Sequence, residues 1–157
     1  MKIVLMTVGK TTTEYLRKGI EMYTARINRY MQFELNELPD IRNTKSLTEA
    51  QQKEREGELI LSALQPSDAV VLLDERGREM TSREFADDID RYGIRGTKRL
   101  VYIVGGPYGF SAKVYDRANA KLSLSRMTYP HEMVRLFFTE QIYRAMTILR
   151  GEPYHHD

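Results

Sequence analysis

Residues 68–74, DAVVLLD, are apolar at every position between two aspartates. A strand lying on one face of a core alternates apolar and polar residues, whereas one that is apolar on both faces must be covered on both. KIVLMTV (2–8) and KRLVYIV (98–104) have the same character. Three such strands separated by helical patterns define an α/β chain: a mainly parallel sheet with helices on both faces, with 68–74 expected at its centre. The 157 residues suffice for one domain of this kind, and residues 1–157 are read as a single unit.

The remaining elements follow from spacing. Tyr15, Leu16, Ile20, Tyr23 and Ile27 recur at helical intervals behind a threonine cap, which predicts a helix within 12–30. QFELNEL (32–38) alternates as a strand does, and 40–47 is polar and loop-like. A charged helix is expected from Ser46 or Thr48 to about Leu64. A turn follows at ERGRE (75–79), then a helix over 81–93 with Gly93 beyond its end. Residues 111–119 predict a short helix, 120–125 a short strand and 131–151 one long helix. That last helix is apolar around too much of its girth for one buried stripe, so burial on two sides is expected. The second side would lie against this domain's own sheet or another subunit; in a symmetric dimer Phe138 or Ile142 would face outward.

VGGPYGFS (104–111) is a glycine-dense turn directly after a strand, the usual place for a phosphate. Its spacing argues otherwise. A P-loop needs lysine and a hydroxyl residue after the final glycine, and no lysine comes before Lys113. The dinucleotide fingerprint fails as well, because Pro107 and Phe110 stand where glycines belong. With no cysteine, disulfides, thiolate zinc sites and thiol nucleophiles are excluded. Of three histidines, His155 and His156 are adjacent near the chain end, a poor basis for a metal site, and no metal is expected. No apolar run reaches membrane-span length and the start lacks a signal-peptide cleavage pattern, which predicts a cytoplasmic protein.

The net charge of +2 conceals an asymmetry: residues 32–92 carry 8 basic and 15 acidic side chains, while both ends are basic. A solvated acidic face on the middle helices explains this, and so does a basic surface for a polyanion such as RNA. Charge alone does not choose between them.

Three strand ends converge on one chemistry. VLLDERG, the glycine turn and the irregular stretch between Leu124 and Pro130 each lie just past a strand, where open α/β sheets take ligands. Apolar side chains and backbone amides with few charges suit an adenine and an amino-acid end better than a triphosphate.

VLLDERG, YIVGGPYGFS, LSLSRMTYPHEMVRLFFTEQIYRA and RGEPYHH, in this order and with KIVLMTVGK at the start, resemble the bacterial ribosomal large-subunit pseudouridine N3-methyltransferases of the SPOUT class. The resemblance spans the whole chain. It implies a trefoil knot in the C-terminal half and S-adenosylmethionine as methyl donor. Donor contacts would fall on Leu73, Gly105, Leu124, Ser125, Arg126, Met127, Thr128 and Tyr129. It further implies a homodimer, 23S rRNA in the assembled ribosome as substrate, and Tyr154 and His155 as catalytic tail residues. Arg135, Glu140 and Arg144 would be dimer or RNA contacts. His156 stands where the family's tail carries Arg or Lys. Because Gly151 and Pro153 end the last helix, residues 154–157 are expected to be extended and free without substrate. A non-catalytic RNA-binding module and another small-molecule enzyme stand as the competing readings.

Overall fold

A computed structural model describes residues 1–157. Five strands, β1 (Lys2–Val8), β2 (Gln32–Leu38), β3 (Ala69–Glu79), β4 (Arg99–Val104) and β5 (Ala120–Ser123), form one sheet. Every pairing is parallel, in the order β2-β1-β4-β3-β5. The helices are α1 (Glu14–Ile27), α2 (Glu49–Ala63), α3 (Ser82–Ile94), α4 (Ala112–Arg117) and α5 (His131–Leu149), with a 3₁₀ turn at Thr44–Ser46.

The all-apolar strands are explained by two cores. Ile3, Leu5, Val71, Leu100 and Tyr102 point to one face and pack with Phe85, Phe138, Ile142 and Met146 from α3 and α5. Val4, Met6, Val70, Leu72, Val101 and Ile103 point to the other and meet Ile60 and Val114 from α2 and α4. Each strand therefore buries alternate residues in opposite layers.

The structure corrects several sequence expectations about elements. β4 occupies the middle of the sheet; β3 is interior, between β4 and β5. The supposed turn at 75–79 is a continuation of β3, which shifts register after Leu73 and pairs again at Arg78 with Leu122. Gly77 permits this, since a Cβ there would lie 2.6 Å from the Leu122 amide nitrogen. α3 runs through Gly93 to Ile94, and the left-handed residue that ends it is Gly96. On α5, both Phe138 and Ile142 are fully buried. The helical repeat turns 138, 142, 145 and 146 inward together, and the exposed aromatic is Phe137.

Two charged side chains of α5 hold the N-terminal segment that follows β1. Glu132 accepts from the Thr12 and Thr13 amides at 2.7 and 3.1 Å, capping α1, whose own Thr13 side chain makes no capping bond. The buried Arg135 guanidinium donates to the carbonyls of Val8 and Gly9, to Thr11 Oγ1 and to Glu37. Arg135, expected as an interface residue, is a clamp inside the fold.

Candidate active site

The register break inside β3, from Leu73 to Arg76, and the loops after β4 and β5 enclose a cavity of about 710 Å³, within the range of small-molecule sites. After β4, Gly106 to Gly109 form a tight turn in which the Gly109 amide donates to the Gly106 carbonyl at 3.2 Å. Gly109 has φ +80°, a conformation that L side chains rarely adopt. Gly105 is constrained differently: a Cβ there would come within 3.1 Å of the Phe110 ring. The chain then re-enters helix α4, capped by Ser111. After β5, the Ser125 hydroxyl accepts from the Met127 amide at 2.9 Å and Pro130 precedes α5, so the segment between them is irregular but locally hydrogen-bonded.

Leu73, Gly105, Leu124, Ser125, Met127, Thr128 and Tyr129 all line this one cavity. Arg126 does not. Its side chain is 86% exposed and pairs with Glu79 at 3.1 Å. Apolar walls come also from Val104, Phe110 and Val134, and charge from Lys53, Asp74, Glu75 and Arg76. Asp74 closes a local turn by accepting from the Arg76 amide at 2.8 Å, and its other oxygen accepts from the Tyr115 hydroxyl. Burial and that bond push the Tyr115 pKa up to about 12. Sequence reasoning missed Lys53 and Tyr115, which reach the cavity from helices that carry no motif.

Tyr154 and His155 lie elsewhere, and the tail is docked where a free segment was expected. The Tyr154 hydroxyl donates to Glu140 Oε1 at 2.9 Å, and its ring packs edge-on to Tyr143 with centroids 4.7 Å apart. Arg144 pairs with Glu140 at 2.6 Å and lies 3.1 Å from His155 Nδ1. Since guanidinium only donates, Nδ1 accepts and Nε2–H donates to Asp157 at 2.8 Å. Asp157 in turn pairs with Arg83 at 2.7 Å. Burial, then the bond to Glu140, raises the Tyr154 pKa, so the phenol is neutral. These partners absorb the tail that Pro153 and Gly151 release from the helix.

A family model described as "Predicted SPOUT methyltransferase" matches residues 1–155, and the chain belongs to the SPOUT methyltransferase family. S-adenosylmethionine is the methyl donor of SPOUT methyltransferases. Among its relatives, the protein named "Ribosomal RNA large subunit methyltransferase H" from Parabacteroides distasonis is 56% identical across the full length of both chains. Its namesake from Bacteroides thetaiotaomicron is 55% identical over the same span. A solved structure, a probable methylase family protein from Haemophilus influenzae, shares the fold at a TM-score of 0.52 and 14% identity. The match covers 99% of this chain and 70% of that one.

The cavity suits that donor chemically. Leu73, Val104, Phe110 and Leu124 offer an apolar slot for a purine, and the glycine turn offers backbone to polar edges. Carboxylates and cations at the rim match a ligand with a sulfonium, an ammonium and a carboxylate.

Proposed function

We propose that this chain methylates N3 of a pseudouridine in a stem-loop of 23S rRNA on the assembled ribosome, working in the cytoplasm as a homodimer of single, knotted SPOUT domains. The observation that carries the reading is the convergence of three motif-bearing strand ends on one cavity, in a chain over half identical to relatives named for ribosomal RNA. For the knot, support comes from β5 lying beside β3 while α5 returns to pack on α1 and α3. For the compartment, support comes from the substrate itself, and no helix is long and apolar enough to cross a membrane.

Bound S-adenosylmethionine supplies an electrophilic methyl group. The chain's task is alignment, and the N3 proton passes to solvent as the bond from N3 to the methyl group forms and the sulfonium–methyl bond breaks. Leu124 to Tyr129 and the glycine turn orient the donor, with Arg126 left to face solvent or RNA. Tyr154 and His155 act on the RNA base, and they do so across the dimer. Arg144, which holds His155, lies ten residues beyond Val134 of the cavity, about 15 Å along the helix. A tail so placed serves the cavity of a second copy more readily than its own. Tyr154, held neutral, orients the base as a hydrogen-bonding group and not as a phenolate.

The test is nucleoside mass spectrometry of 23S rRNA after incubating unmodified ribosomes with protein and deuterated donor. One labelled methylpseudouridine is expected, and none with protein lacking residues 154–157. Absence of label with the intact protein contradicts the proposal, and full activity of the truncated form removes the tail from the chemistry.

A further inference from the structure

Behind the glycine turn stands a carboxyl group that the chemistry above does not use. Glu56, on the inner side of α2, is 5% exposed, and its Oε1 is buried with no hydrogen-bond partner. It sits against the Cα of Gly106: a Cβ on that residue would fall 2.7 Å from Oε1. The next residue, Gly57, brings α2 into equally close contact with Ser111, the cap of α4. Helix α2 is thus fitted onto both ends of the 106–111 segment, whose residues Gly106 to Phe110 line the cavity. Buried polar groups are normally paired, and an unpaired one calls for a physical reason.

We propose that Glu56 is a positioning residue for the methyl-donor cavity: its carboxyl group wedges Gly106 from behind and fixes the turn in the shape that admits the donor. This rests on the reading of the cavity as the donor site. The wedge works in its neutral form. Burial first, and the negative charge of Asp40 beyond β2 second, raise the Glu56 pKa above its ordinary 4.5. Lys53, one turn earlier on α2, is turned to the cavity. Once ionised, a carboxylate with no donor and a like charge nearby is drawn toward water, and the turn loses its support. Donor affinity therefore falls as pH rises through the Glu56 titration. Folding stability declines in the same direction, because the folded state holds this proton more tightly than the unfolded chain.

The experiment is titration calorimetry with S-adenosylhomocysteine from about pH 5 to about pH 9, on full-length wild type, E56Q, E56A and G106A. Comparison with E56Q removes the ligand's own titration. At the acid end, E56A is expected to bind about tenfold more weakly than wild type. E56Q, neutral and of the same shape, restores affinity and lacks the decline that wild type shows with rising pH. G106A, whose methyl displaces the carboxyl group, should lose affinity as E56A does, and it carries the test if E56A fails to fold. Wild type that does not bind at all refutes the donor reading itself. Wild type that binds while E56A or G106A binds equally well overturns the wedge, as does a wild-type profile parallel to that of E56Q.

Discussion

Single residues in this chain take roles that their chemical type does not announce. Arg135 and Glu132 are ionic residues near the start of α5, and the family resemblance implies the first as a dimer or RNA contact. In the fold each reaches back more than a hundred positions to the segment after β1, where unpaired backbone groups await a partner. Glu132 yields a direct prediction. Bonds from the Thr13 and Thr12 amides and the Thr12 hydroxyl hold its pKa below the ordinary 4.5. Its contribution is then complete above that value and is lost as pH falls through the lower, folded pKa. Glu132→Ala should cost about 1 kcal/mol near neutral pH, as removal of an N-cap does. Thermal melts of the two proteins should converge in acid, and a constant difference across pH would show that the cap charge is irrelevant.

Elements explain which parts of the site could be read in advance. The ends of the apolar runs mark Leu73 and Gly105, and Pro130 marks where α5 begins, so these residues and the 124–129 segment, Arg126 apart, are legible in the sequence. Pairings distant in sequence are not. The charged residues 75–79 read as a turn because nothing local says that Gly77 meets the backbone of Leu122. The tail read as free because Glu140, Arg144 and Arg83, which hold it, are identifiable only once α3 and α5 lie side by side. Likewise, the width of the apolar stripe on α5 was legible, but its phase was not. The outward residue is Phe137, 39% exposed and edge-on to Tyr129 with ring centroids 5.5 Å apart. Phe137→Glu should give monomers by analytical ultracentrifugation, with helical circular dichroism unchanged and methyl transfer lost. A variant that remains dimeric places the interface off this face.

At the scale of the whole molecule, parallel topology unites what the sequence separates. All five strands point the same way, so the register break of β3 and the loops after β4 and β5 meet at one end of the sheet, and a single cavity results. In the proposed reading the glycine turn serves donor geometry, with the Phe110 ring against Gly105 and Glu56 against Gly106. The tail lies about 15 Å away along α5, and in the proposed mechanism a two-fold partner brings it to the cavity. Central to all of this is that the three loops hold the methyl donor. Amide chemical shifts of the isotopically labelled protein, followed while S-adenosylhomocysteine is added, test it most directly. The account predicts saturable shifts centred on Leu73 to Arg76, Gly105 to Phe110 and Leu124 to Tyr129. Shifts confined to other regions, or none at saturating ligand, would contradict it.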